Sequence, residues 1–493
     1  MKSKKKTAKS STRIVFKFAD SVQIPAGGTS DVQEQFIMNS SVLSWNTFKK
    51  IFPGITLGKL FVTVPYQKLD EMMAHAKLQD PNYKSTNLHY FYWIDCPPAV
   101  DAGKLMDALS KLKTVELVYE QEDCIPSHAG NALGNPRAAQ QNYLDASPAG
   151  IDAKFAWTKG GDGDGTIQLI DVEQGWFLDH EDFPLTNLGD KIISKITLLS
   201  GINKQFKGHG TEVLGVILAQ DNDIGGIGIT PNVKANVISI WRQLPDAKPN
   251  TADAISDALT HLVSGDVLLI ELQQEKSLLP VETDIAVFKI ISMGIAKGIV
   301  IIESAGNGGA DLDTLKFANA RGQQKKFFLK RGNAEIEQDI AFQDSGAIMV
   351  GAATSGVPHE RFEGSNGSNG SNYGGRIDCY AWGNNITTTG NNGNGGTTAY
   401  TSNFGATSGA SAIIAGATIA IQSMALAAGK PRYSPRQLRD ILSDPDTGTS
   451  SNNPELDKIG VMPDLKKIYE KYIMPGVIPK PITPIPGTAQ TAS

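Results

Sequence analysis

Ser408 stands in the stretch TSNFGATSGASAIIAGATIAIQS, Thr401–Ser423, where Gly405 and Gly409 permit tight backbone turns. From Ala410 onward strong helix formers and apolar spacing continue to Leu426, so the serine is expected where a buried helix begins. Unpaired N–H groups and the positive end of the helix dipole favour negative charge at such a place. Taken alone, the segment also reads as a close-packed core helix that needs small residues. What a serine hydroxyl lacks as a nucleophile is a base to take its proton and a carboxylate to fix the tautomer of that base. GHGTEVLGVILAQDN offers His209 between Gly208 and Gly210 at a predicted helix start, and TIQLIDVEQGW offers Asp171 at the carboxyl end of an apolar run. GIVIIESAGNGG adds Asn307 in a glycine-rich turn, where its amide could face an oxyanion beside the backbone N–H of Ser408.

These residues need a scaffold that brings distant segments together. From about residue 151 the runs TIQLID, ANVISIW, DVLLIEL, GIVIIES and GAIMVGA are continuously apolar, as strands buried on both faces are. Helical stretches are predicted near His209, Ala252, Pro280, Ser408 and Ser434. Strand and helix in turn predict an α/β fold with a doubly wound, mostly parallel sheet, whose ligand chemistry collects at the carboxyl ends of the strands. Before it, RIVFKF, LGKLFVTVP and TVELVYE alternate with helical LDEMMAHAKL and DAGKLMDALSKLK, the pattern of a small α+β domain. The polar stretch EDCIPSHAGNALGNPRAAQQ reads as an exposed linker. A charged insertion at residues 310–342, the near-repeat GSNGSNGSNYGG and the proline-rich tail after Met474 read as surface segments.

A chain of 493 residues can bury a large core, and a net charge of -5 gives no sign of nucleic-acid or membrane partners. The basic opening MKSKKKTAKSSTR runs into IVFKFAD, too short and too charged for the apolar core of a signal peptide, which favours the cytoplasm. Three widely spaced cysteines, Cys96, Cys124 and Cys379, fit neither a disulfide scaffold nor a metal cluster.

In their order, the motifs LIDVEQGW, GHGTEVLG, SAGNGG and GATSGASA resemble those of the subtilisin-like serine peptidases, over about residues 140–445. The resemblance implies a subtilisin-like fold in which Asp171 is the orienting carboxylate, His209 the general base, Ser408 the nucleophile and Asn307 an oxyanion donor. It also implies an organisation: a basic arm at 1–13, a propeptide-like domain at 14–121, a linker at 122–141, a peptidase domain at 142–473 and a tail at 474–493. Substrate would be a peptide or protein lying along Glu271, Leu272 and Gln273 and beside Ala305 and Gly306, with the chain's own propeptide as an inhibitory partner; a propeptide of this kind favours export as the alternative location. AQDNDIGGIG resembles the family's structural calcium loop, with Asn222 and Asp182 as side-chain ligands, Gln220, Ile224 and Gly226 as carbonyl ligands and Gln141 completing the set.

Several positions depart from the family pattern. Val172 and Glu173 stand where a small hydroxyl residue and glycine are usual, so Asp171 needs other hydrogen-bond donors. Glu212 replaces a residue that is commonly histidine, and Ala406 and Ala412 replace a glycine and a proline at an expected low cost. Glu271, Leu272 and Gln273 replace Ser-Leu-Gly; backbone pairing with substrate survives this, whereas the pocket for the side chain before the scissile bond is expected to be shallow or polar. These departures leave open a degenerate or latent peptidase serving as a self-processing or binding module. A nucleotide-binding fold fails because the glycine run GGDGDG precedes a strand instead of joining strand to helix. A lipase-type elbow fails because neither Ser408 nor Ser411 has glycine two residues away on both sides.

Overall fold

The computed structural model describes residues 12–22, 45–80, 83, 85–122, 124–126, 138–183, 188–192, 204–242, 248–318, 324–326, 344–364, 369–390 and 396–474. Residues 1–11 of the basic arm, 475–493 of the tail, and most of the charged insertion and the linker therefore lie outside the described residues. In the N-terminal part the strands are β1 (Thr12–Phe18), β2 (Thr56–Lys59), β3 (Phe91–Cys96), β4 (Val115–Gln121) and β5 (Cys124–Pro126). They are followed by β6 (Gln168–Glu173), β7 (Leu188–Ile192), β8 (Lys234–Ser239), β9 (Val267–Ile270), β10 (Leu272–Gln274) and β11 (Val300–Ser304). The chain continues with β12 (Lys316–Ala318), β13 (Gln324–Lys326), β14 (Ile348–Ala353) and β15 (Cys379–Trp382). The last strands are β16 (Ile386–Thr389), β17 (Tyr400–Phe404), β18 (Gly448–Ser450) and β19 (Val461–Pro463).

A nine-stranded sheet has the order β18-β19-β15-β14-β11-β9-β6-β8-β7 among the described residues. Its pairs are parallel except β18 against β19, which matches the mostly parallel sheet expected from the apolar runs. Strand β6 has β9 on one side and β8 on the other, so successive connections leave its carboxyl end in opposite directions and open a crevice there. Alternation divides this strand between two cores. Leu169 packs with Leu214, Ile217, Ile413 and Ile421 from the helices Lys204–Leu218 and Ala406–Ala427. Ile170 and Val172 pack on the other face with Ile255 and Ile291 from the helices Thr251–His261 and Ile285–Ala296.

The helix ends follow from their caps. Asn250 accepts from Asp253 N, Asp284 from Ala286 N and Val287 N, and Ser434 forms a capping box with Gln437. Asp284 explains why the helix expected near Pro280 begins only at Ile285, after the short turn Val281–Thr283. Helix Ala406–Ala427 is long and apolar enough to cross a membrane, but 89% of the window is buried within the protein.

The N-terminal unit is an antiparallel sheet of order β2-β3-β1-β4. Its Val15, Phe61, Trp93 and Tyr119 enter the same core as Ile255 and Ile291, so it docks on two helices of the large sheet. Polar bonds fix the docking: Asn250 Nδ2 donates to Leu60 O at 2.8 Å, and Tyr119 OH donates to the Asp284 carboxylate at 2.8 Å. One expectation fails in part. Residues 124–126 of the supposed exposed linker form β5, which pairs with β10, because β10 would otherwise present an unpaired strand edge.

Candidate active site

Asp171 and Glu173 are two apart on β6, so both project to the face that carries His209. Both are fully buried. Asp171 was expected to orient the imidazole, yet Glu173 does so: its Oε1 lies 2.5 Å from His209 Nδ1. The reason is reach, since Glu173 is one pleat nearer the carboxyl end of the strand and has one more methylene. Asp171 instead accepts from Trp176 Nε1 at 2.7 Å, which supplies the donor that Val172 cannot. His209 sits in the second turn of its helix, which starts at Lys204 and not at the histidine. Gly210 is required beside it, because a Cβ there would stand 2.5 Å from Gly175 O and 2.6 Å from the Trp176 ring.

Ser408 is the third residue of helix Ala406–Ala427 and is fully buried. The chain enters this helix sharply: Ala406 has φ +55°, and its N–H donates to Gly383 O at 2.7 Å. The low cost expected for alanine at this position is therefore wrong, since a left-handed non-glycine residue costs about 1–2 kcal/mol. Ala412 lies in the helix interior, as expected. Thr407 donates to Asn307 Oδ1 through its backbone N (3.1 Å) and its hydroxyl (2.8 Å). This fixes the amide orientation and leaves Asn307 Nδ2 buried with no hydrogen-bond partner among the described residues.

Of the residues expected along the substrate, Leu272 and Gln273 lie in β10, and Glu271 just before it. Glu271 is fully buried, accepts from Ser411 Oγ at 2.9 Å and is hydrogen-bonded by the Ser408 hydroxyl. Gln273 reaches across with Oε1, accepting from Asn307 N at 2.8 Å. Ala305 and Gly306 follow β11 and are tied through Asn372, whose Nδ2 donates to Ala305 O and whose N donates to Gly306 O.

The site is crowded with acids. Burial pushes Asp171 well above the usual carboxylate range, and the nearby Glu173 adds to it. Burial raises Glu173 likewise, opposed by the Gln174 N–H. Glu271 is raised by burial and then by Glu173 and Asp171, and Glu212 by burial and Glu173. Burial and mutual repulsion favour the protonated form of these acids, and the His209 imidazole, 2.5 Å from Glu173, is the group that can hold charge on that carboxylate. Glu173 was missed as a site residue, although the spacing IDVE already placed it on the same strand face as Asp171.

The side chains expected to hold calcium gather around Gly226. Asp182 Oδ2 accepts from Gly226 N at 3.1 Å, while Oδ1 is buried with no partner among the described residues and burial lifts the carboxyl to about 7. Gln141 Oε1 accepts from Ile227 N and Asn222 Oδ1 from Ile224 N, whereas the Gln220 side chain turns away to Pro231 O. Ile224 has an exposed side chain and offers only its carbonyl. No group of three His, Cys, Asp or Glu able to hold a metal occurs among the described residues. The orphaned Asp182 oxygen beside neutral amide and carbonyl oxygens is the feature that fits a hard cation.

The sequence matches the model of the subtilase family over residues 199–457, more than half of the chain. Subtilisin DY of Bacillus licheniformis is 29% identical over 122 residues, which are 24% of this chain and 42% of that protein. Two solved structures share the fold. Fervidolysin from Fervidobacterium pennivorans, described as a keratinolytic enzyme related to subtilisin, has a TM-score of 0.52 at 16% identity, covering 96% of this chain and 62% of that one. The epidermin leader peptide processing serine protease of Staphylococcus aureus has a TM-score of 0.53 at 16% identity, covering 94% and 99%. The chain thus spans less than two thirds of subtilisin DY and of the fervidolysin chain.

Proposed function

Because this chain belongs to the subtilase family, we propose that it is a serine endopeptidase, cleaving peptide or protein substrates through an acyl-enzyme on Ser408. In this reading His209 takes the Ser408 proton while Glu173 holds the imidazole in one tautomer and balances its charge. The oxyanion is received by Asn307 Nδ2 and the Ser408 N–H, at the positive end of helix Ala406–Ala427. His209 returns the proton to the leaving amine and then activates the water that releases the acyl group. The observation that carries the reading is the 2.5 Å contact of His209 with Glu173, a buried base already oriented by a carboxylate.

Residues 14–121 act, in the same reading, as an inhibitory propeptide. Its support is the docking of that unit and the pairing of β5 along β10, together with the burial of His209 and Ser408, 2% and 0% exposed. A structural calcium ion held by Asp182, Asn222 and Gln141 with the carbonyls of Gln220, Ile224 and Gly226 belongs to the proposal as well; its support is the orphaned Asp182 oxygen. A second reading, a latent peptidase used as a self-processing or binding module, draws on the bond that ties the Ser408 hydroxyl to Glu271. Intact-mass measurement of wild type beside Ser408→Ala separates them. Peptidase activity predicts a wild-type chain cut between about residues 122 and 141 and able to cleave added protein, with Ser408→Ala remaining whole. A wild type that stays whole and cleaves nothing refutes it.

A further inference from the structure

Glu271 joins β9 to β10 and puts an acid where serine is usual. It is fully buried, and its polar partners come from the helix of the nucleophile: Ser411 Oγ donates to Glu271 Oε1 at 2.9 Å, and the Ser408 hydroxyl bonds to the same carboxyl. Its second oxygen, Oε2, is buried with no partner among the described residues. The surrounding elements offer it acids in place of a countercharge. Asp171 and Glu173 face it from β6, and the helix Lys204–Leu218 brings Glu212 and His209 to Glu173, with the imidazole 2.5 Å from the Glu173 carboxyl. Helix Ala406–Ala427 carries no ionisable side chain, and neither do β9 and β10. The one acid of β11, Glu303, is set toward Arg376 at 3.8 Å.

A carboxyl in such surroundings keeps its proton where an exposed glutamate has lost it. Burial raises it first, then Glu173 and Asp171, against the bonds from Ser411 and Ser408. An ionised Glu271 would also leave a buried oxygen without a donor. The two forms treat Ser408 differently. A neutral acid bonds a hydroxyl about half as strongly as a carboxylate does, so Ser408 can leave it and turn its proton to His209. A carboxylate only accepts, and holds that proton on its own side. Its charge then lies next to Ser408 Oγ, to which the carbon bearing the oxyanion becomes bonded, and opposes the stabilisation that Asn307 and the helix start supply.

We propose that Glu271 is a catalytic residue, a proton-operated gate on the nucleophile: neutral, it yields the Ser408 hydroxyl to His209; ionised, it captures the hydroxyl and shuts the site. The proposal rests on the reading of Ser408 as nucleophile. Activity is then bounded on the acid side by His209, which takes a proton only as neutral imidazole, and on the alkaline side by Glu271. Because one proton decides, the rate falls about tenfold per pH unit once Glu271 ionises.

The test measures, on the full-length chain, kcat/KM for a fluorogenic peptide and separately the rate of fluorophosphonate labelling at Ser408. Both are followed from about pH 5 to about pH 10, with circular dichroism tracking the fold. Wild type should lose both rates together on the alkaline side while the fold persists. Glu271→Gln, which keeps the shape, and Glu271→Ser, which restores the usual residue, should both abolish that alkaline fall, whereas Glu212→Gln, in another acid of the cluster, should keep it. The small label needs no peptide pocket, so its profile reports on Ser408 itself. Wild-type rates that stay level to about pH 10, a fall that persists in both Glu271 variants, or one seen with peptide and not with label would overturn the proposal and leave the peptidase reading standing. A chain never labelled at Ser408, at any pH, would overturn both.

Discussion

Exchanging the two buried acids of β6, one at a time, separates the geometry found here from the one the family pattern implies. Glu173→Gln keeps the shape of the side chain but removes the charge 2.5 Å from His209 Nδ1, and its amide can donate to that nitrogen and favour the wrong tautomer. Loss of the orienting carboxylate costs serine peptidases about 10⁴ in kcat, or ~5.5 kcal/mol at 1.36 kcal/mol per factor of ten. Asp171→Asn retains an acceptor for Trp176 Nε1 and, because Asp171 is protonated in the fold, leaves the charge beside Glu173 unchanged, so its kcat should stay within about tenfold of wild type. The assay is kcat and KM on a fluorogenic peptide, with KM expected to be unchanged in both variants. Stability supplies a second check. Asp171 holds its proton in the fold above the pH, about 3.9, at which the unfolded chain releases it. Stability therefore falls as pH rises from about 4 toward the folded pKa, by ~1.36 kcal/mol per pH unit for this group, and Asp171→Asn should flatten that slope. A crippled Asp171→Asn beside an active Glu173→Gln would refute the reasoning.

Two further outcomes follow from single residues. Ala406→Gly should raise stability by about 0.5–1 kcal/mol in thermal unfolding, because relief of the left-handed strain at φ +55° exceeds the added chain entropy; a loss would contradict it. With no cation bound, Asp182 keeps its proton up to about pH 7 while the unfolded chain releases it near 3.9, so stability falls between those values. Calcium should offset that loss: its effect on Tm should be small at pH 5, large at pH 8 and absent in Asp182→Asn, and equal shifts at both pH values would count against the site.

Much of this was legible in the sequence because it depends on local pattern. Continuous apolar runs announced strands buried on both faces, and Ser434 and the alanine-rich run announced helices. The positions of Ser408 at a helix start and Asn307 just beyond a strand followed from glycine-rich turns, whereas His209 lies in the second turn of its helix and not at its start. What escaped was contact chemistry. Which of two acids on one strand face reaches the imidazole depends on side-chain length and the tilt of a helix 36 residues away in sequence. The left-handed Ala406 depends on the close approach of Gly383, and the fate of residues 124–126 on an unpaired edge supplied by a strand nearly 150 residues later. Gln273 is buried and accepts from Asn307 N at the position where a shallow or polar pocket is expected from the sequence.

The central proposal is that Ser408 is chemically distinct from the other serines because His209 takes its proton and Asn307 receives the oxyanion. Fluorophosphonate labelling of the wild-type chain, its adduct located by peptide mapping, tests this most directly. The account predicts an adduct on Ser408 alone, abolished in Ser408→Ala and lost in His209→Ala. An adduct on a different serine, or labelling of Ser408 that does not depend on His209, would contradict it.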